Sequence, residues 1–363
     1  MIKLFFFLLL FNEYLLNENM NKYYFREFES IFQHQNSNII NKSIVQKNAI
    51  LGIIQGYTLN RILPFFKSII QSNITNCDII MFTRNISLIA ITYLKSINVI
   101  IYEIPKKYKN ISVINVRWKM YADYLKENKN KYKLIFHADV RDTIFQKNIF
   151  DFYQYNESFL GVAIEDGTLD EKLNKHWLIN FVGIEKHKKI KKERIICVGS
   201  IWGTIDKFLE FSIIFSKKLS ENPFIEQAIA NYMFYYENFL KDYLIKSDNY
   251  GPVMTIGLTK REKIVLDTQN NICNFRGEIA AVIHQYDRKP DITKKVINKY
   301  CPELLYFCKI LQCNNNFNIN IYLNKISSIE KRYRNIMKLL LLLLILFPFL
   351  LLKIYFFFHK MMN

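Results

Sequence analysis

The sequence predicts one α/β domain over 45–310, built on a mostly parallel central sheet, with a transmembrane helix at its C-terminal side. Three observations predict it. From 49 to 164, short continuous apolar runs alternate with segments of helical period, the pattern of strands buried on both faces. Half of the 363 residues are hydrophobic and 23% are charged, so the chain can bury a sizeable core and is not a disordered tail. Residues 339–352 carry no charged or polar side chain.

The elements follow in order. Residues 49–54 read as a strand closed by Gln55-Gly56, and 61–70 as a helix with Pro64 in its first turn. Strands at 78–83 and 99–102 flank a helix at 87–96. A helix at 113–126 then leads to a fourth strand at 134–138, and a fifth follows at 159–164. Strand–helix alternation of this kind argues a parallel sheet, whose ligands bind beyond the carboxyl ends of the strands. That places functional residues just after Ile54, Thr83 and Ala138. The run at 186–194, five lysines and an arginine, reads as a solvated loop, with anionic lipid headgroups as the alternative contact.

The ends read differently. Allowing for one interruption at Lys353, the apolar run at 339–358, within a helix bounded at 336–358, reaches the roughly 20 residues needed to span a bilayer, and Pro348 is tolerated in lipid. An Asn-rich linker at 311–335 precedes it. At 1–20, Lys3 followed by an apolar stretch resembles a signal or anchor segment without a small-residue cleavage site. Lys331, Arg332, Arg334 and Lys338 before the helix favour a cytosolic body, whereas a working signal would override them.

A net charge of +18 invites a nucleic-acid partner. The basic residues are scattered along the whole chain, however, and no recognition helix, zinc finger or RNA-binding signature occurs, so that partner is excluded. Six cysteines contain no C-x-x-C pair, which argues against structural zinc. Five N-x-[ST] sequons, at Asn41, Asn73, Asn85, Asn110 and Asn156, are expected by chance in so Asn-rich a chain.

The sharpest chemical signal is His137-Ala138-Asp139-Val140-Arg141-Asp142, at the end of the fourth strand. Two carboxylates there can hold a hard divalent cation, which neutralises a diphosphate leaving group. On a straight strand, residues three apart face opposite sides, so Asp139 and Asp142 converge only if the chain turns at Val140–Arg141. Spacing alone equally admits a loop whose acids pair with Arg141 or cap a helix.

The stretch LIFHADVRDTIFQKNIF at 134–150 resembles the aspartate-motif region of nucleotide-diphospho-sugar glycosyltransferases with the GT-A fold. Three further blocks agree in order. IICVGSIWGT at 195–204 resembles the acceptor-side segment of that group, Glu226-Gln227 with Asn231 its Asp-Gln motif, and VIHQYDRKP at 282–290 its C-terminal histidine block.

The resemblance implies a divalent metal, manganese or magnesium, held by Asp139, Asp142 and His284. It implies a nucleotide-sugar donor contacted by Gln55, Gly56, Tyr57, Arg117 and Arg141, with Gly199, Ser200 and Gly203 leaving room for a sugar. Glu226 and Gln227 are the implied catalytic residues, although Glu226 stands where the family carries aspartate; Glu165, in Glu165-Asp166-Gly167 after the fifth strand, is a candidate acceptor base. The acceptor would be a glycan, protein or lipid, and the chain a single-pass membrane protein of the endoplasmic reticulum or Golgi. The competing expectation is a degenerate, membrane-anchored binding or scaffold protein of the same fold. A phosphoryl-transfer enzyme would need a phosphate-cradling G-x-x-x-x-G-K-[ST], which the sequence lacks.

Overall fold

The computed structural model describes residues 46–302 and Leu304, apart from 154–156 and 223–225. All of them belong to the compact unit Gln46–Asn363. Strand β1 (Lys47–Gln55), helix α1 (Leu59–Gln71), β2 (Cys77–Arg84), α2 (Leu88–Ser96) and β3 (Ile100–Glu103) form the alternating opening. Helix α3 (Val113–Glu127) then leads into β4 (Tyr132–Ala138), and the short β5 (Thr143–Phe145) precedes β6 (Leu160–Thr168). Helices α4 (Lys172–Val182) and α5 (Ile184–Ile190) separate β6 from β7 (Arg194–Thr204), which runs into α6 (Ile205–Glu221) and α7 (Glu226–Tyr235). Strands β8 (Leu244–Ser247), β9 (Val253–Thr255), β10 (Val265–Leu266), β11 (Ile272–Cys273) and β12 (Val282–His284) precede α8 (Pro290–Tyr300).

Seven strands form the central sheet in the order β3-β2-β1-β4-β7-β6-β8. β3, β2, β1 and β4 are parallel neighbours, and β8 is parallel to β6. β7 runs antiparallel to both β4 and β6, so the sheet is mostly but not wholly parallel. Its core is made by the apolar runs that mark the strands: Ala49, Leu51, Ile135 and Ile201 lie on one face with α3 and α6. Trp118 of α3 is fully buried there, edge-on to Phe211 and Phe215 of α6. On the other face Ile50, Ile54 and Phe136 meet Phe65 and Phe66 of α1.

The second sheet, β5-β12-β9, brings the distant C-terminal block to the sheet mouth. β12 pairs antiparallel with β5, His284 opposite Thr143, and the Gln285 amide donates to the Asp142 carbonyl at 2.8 Å. Ser68 of α1 ties β5 down, since its hydroxyl accepts from the Phe145 amide at 3.0 Å and donates to the Phe65 carbonyl at 2.7 Å.

Three expectations need correction. Helix α1 starts at Leu59, two residues before the expected start, so Pro64 lies inside it beyond the first turn. A proline there removes one backbone hydrogen bond, and the burial of Ile62, Leu63, Phe65 and Phe66 on the same helix offsets that loss. The stretch 184–190 is helix α5, not a solvated loop. Lys186 stands over the Tyr232 and Tyr236 rings at 5.4 and 5.8 Å, and His187 is buried against the Leu169 carbonyl at 3.2 Å. The fifth expected strand is sixth in the chain and longer, so Glu165-Asp166-Gly167 lie within β6 and do not follow it. The block at 195–204, for which the sequence predicts no element, is the antiparallel strand β7.

Among the described residues no helix is long and apolar enough to cross a membrane. The expected segments at 1–20, 311–335 and 336–358 lie outside the described residues.

Candidate functional site

At the carboxyl end of β4 the chain turns at Val140–Arg141 before entering β5. The turn brings Asp139 and Asp142 to the same side, and β12 adds His284. One ligand atom from each of the three lies within 4.8 Å of the others. His284 Nε2 stands 3.7 Å from Asp139 Oδ2 and 3.6 Å from Asp142 Oδ1. Both Asp142 Oδ1 and His284 Nε2 are buried without a hydrogen-bond partner, an arrangement that costs free energy unless something fills it. Two oxygen donors and an imidazole nitrogen around one point fit a divalent cation. Burial works against a charge on His284, yet Cys197 and the two carboxylates together hold its pKa well above the usual histidine value. A cation seated there would take the place of that proton.

Gly199 makes the arrangement sterically feasible. Its carbonyl accepts from the Asp139 amide at 2.9 Å, locking β7 against the start of the turn. A Cβ at this position would lie 2.3 Å from His284 Cε1 and 2.7 Å from Asp139 Oδ2.

The acidic pocket is held from behind by Arg117, itself buried in α3. Its Nη1 donates to Asp139 Oδ1 at 2.5 Å, while Nε and Nη2 form a fork on Glu226 at 2.8 and 2.7 Å. Trp118 Nε1 adds a third donor to the Glu226 carboxylate at 2.5 Å. Against the cost of burial, Glu226 and Asp139 keep the guanidinium firmly protonated. His137, fully buried beside Trp118, is driven neutral by burial and by the Arg117 charge, its pKa pushed down to about 3. Its Nδ1 pairs with the Tyr121 hydroxyl at 3.1 Å.

Asp139, Asp142, His284 and Arg117 line a cavity of about 460 Å³, a volume suited to a small-molecule ligand. Gln55 and Tyr57 after β1, Arg141 in the turn, Gly199, Glu226 and Gln227 line it as well. Arg141 pairs with Asp142 Oδ2 at 2.8 Å and lies 3.5 Å from Asp287. Gln227 is fixed by Asn174 of α4 at 2.9 Å. Other expected residues sit elsewhere. Gly56 has φ +63° and no atom near where a Cβ would point, so it serves the turn after β1 and is not in the lining. Ser200 is fully buried in β7, paired with Ala138, and Gly203 faces the Phe159 carbonyl. Glu165 is buried outside the lining, and burial raises its carboxyl pKa against the opposing influence of the nearby Cys197 thiol. Nothing in the structure lies just after Thr83 that joins this cavity.

Among the lining residues not singled out from the sequence are Cys197, Trp177 and Gln285. Cys197 lies inside the 195–204 block, two residues before Gly199, and its position there is the one signal that marks it. Trp177 enters from α4 with no local pattern to mark it, and Gln285, with φ +59°, follows His284 inside the block at 282–290.

No family model matches this chain, and no curated protein matches it in sequence. Among solved structures it is similar to an active-site mutant of LgtC, with 11% identity and a TM-score of 0.41 over 65% of this chain and 86% of that one. It is similar also to the galactosyltransferase LgtC in complex with donor and acceptor sugar analogs, with 12% identity and a TM-score of 0.41 over 68% and 95%. The glycosyltransferase GlyE of Streptococcus pneumoniae TIGR4 gives 13% identity and a TM-score of 0.40. That match covers 66% of this chain and about half, 54%, of GlyE.

Proposed function

We propose that the chain is a divalent-metal-dependent glycosyltransferase that takes its sugar from a nucleoside-diphosphate donor. One observation carries the reading: Asp139, Asp142 and His284 converge at the mouth of the sheet with Asp142 Oδ1 and His284 Nε2 buried and unpartnered. Such a cation would neutralise the diphosphate as it leaves.

The chain's own groups supply the rest. Arg117, clamped by Glu226, fixes the Asp139 carboxylate in one orientation. Arg141, 36% exposed at its side chain, offers a second cation where a diphosphate would lie. Gln55 and Tyr57 stand at the end of β1, where a nucleoside would be received, and Gln227 with Gly199 borders the space left for the sugar. Glu226 serves here as a positioning residue, since three donors already occupy its carboxylate. The acceptor is a glycan, protein or lipid, and the apolar run at 336–358 anchors the chain in the endoplasmic reticulum or Golgi membrane.

Thermal shift of the full chain against UDP- and GDP-sugars, with manganese or with EDTA, tests this reading. A ligand at 100 times its Kd stabilises by about 2.7 kcal/mol, a shift of several degrees. At least one nucleotide-sugar should produce such a shift with manganese and lose it in EDTA. Equal shifts under both conditions, or none from any donor, would contradict the proposal.

A further inference from the structure

Cys197 and Glu165 form a layer behind the metal site that the transfer reading leaves unused. Cys197 Sγ lies 3.4 Å from His284 Nδ1, the ring nitrogen turned away from the two carboxylates. Gln285 Nε2 reaches the same sulfur at 4.0 Å. Behind the thiol stands the carboxyl of Glu165, also buried and near enough for each group to act on the other's charge. Among the described residues nothing else hydrogen-bonds His284 Nδ1.

An imidazole can give a lone pair to a cation through Nε2 only if Nδ1 carries the proton, and that N–H then needs an acceptor. In most metal sites the acceptor is a carboxylate, a backbone carbonyl or water. Here His284 is buried, and among the described residues the atom in position is sulfur. A thiol can accept from Nδ1–H while its own S–H donates onward, and Glu165 is placed to receive that bond. No proton changes owner in this chain of hydrogen bonds.

We propose that Cys197, backed by Glu165, is a positioning residue that holds His284 with Nδ1 protonated and Nε2 aimed between Asp139 and Asp142. This rests on the metal-site reading above, and it gives Glu165 a role other than that of an acceptor base. Valine at 197 would fill the space of the thiol without bonding, while serine would bond in its place.

The test is Mn²⁺ affinity of the full chain, read from the paramagnetic resonance signal of the free ion, with no turnover involved. Cys197→Val should weaken Mn²⁺ binding by about 10- to 100-fold, the usual effect of losing such a partner. Cys197→Ser should stay close to wild type. Unchanged affinity in Cys197→Val, or an equal loss in Cys197→Ser, would overturn the proposal. Should the valine variant fail to fold, Glu165→Leu carries the same test, and an unchanged Mn²⁺ affinity there overturns it. A wild-type chain that binds no Mn²⁺ would instead remove the metal site itself.

Discussion

Replacing Gly199 with alanine should abolish the metal site while leaving the fold standing. The added Cβ would sit 2.3 Å from His284 Cε1, 2.6 Å from His284 Nε2 and 2.7 Å from Asp139 Oδ2, all inside contact distance. His284 is 1% exposed and pinned in β12, so it cannot swing away without breaking the β5–β12–β9 pairing. The strand β7 cannot yield easily either, because the Gly199 carbonyl holds the Asp139 amide. Mn²⁺ affinity should fall on the order of 100-fold, at the upper end of what disturbed ligand positioning costs. The overpacking should cost about 1–3 kcal/mol of stability. Isothermal titration with Mn²⁺ alongside a melting curve separates the two effects. A variant that binds Mn²⁺ as tightly as wild type would show that the cleared space is not the ligand site.

Arg117→Met should be the most damaging single change to stability. It removes the fork from Glu226, whose carboxylate is 9% exposed and keeps only Trp118 as a donor. Breaking a buried ion pair from one side costs about 3–5 kcal/mol, because the remaining charge stays desolvated. Tm should drop on the order of 10 °C. Arg117→Lys should rescue little, since an ammonium cannot reproduce the two-pronged contact. The double variant Arg117→Met with Glu226→Leu should regain much of the lost stability and none of the transfer, because Asp139 would still lack its orienting cation. A stable single variant would show the network to be peripheral.

Much of the scaffold was legible from periodicity. The apolar runs at β1, β2, β3 and β4 and the helices between them have a local cause, burial on both faces of a parallel sheet, and local causes leave local patterns. The turn that unites Asp139 and Asp142 was open in the sequence, because spacing does not reveal whether a chain continues straight. His284 entered through a resemblance of blocks, and what places it is the pairing of β12 with β5, a long-range contact invisible to any window.

The partnerships that make the site were less readable. Arg117 and Glu226 are 109 residues apart, and only the tertiary fold joins them, with α3 and α7 each packed on α6. Glu165 reads as an exposed acid at a strand end, yet β6 continues to Thr168 and carries it into the interior. The antiparallel course of β7 has no local pattern in the block at 195–204, because strand direction is set by pairing with β4 and β6. The positively charged stretch at 186–194 misled for another reason, since lysine ammonium groups can sit over aromatic rings on one side of an exposed helix.

The central claim is that one cation site on Asp139, Asp142 and His284 serves nucleotide-sugar turnover. The most direct measurement is donor turnover by Asp142→Ala across a manganese titration, beside the wild type. Asp142 is 3% exposed and contributes one of the two unpartnered ligand atoms, so its loss opens the site at its centre. The account predicts a folded variant with turnover lowered by at least about 1000-fold, roughly 4 kcal/mol in barrier, and not restored by excess manganese. Full turnover with a wild-type manganese dependence would contradict it, and would mark the acidic turn as structural.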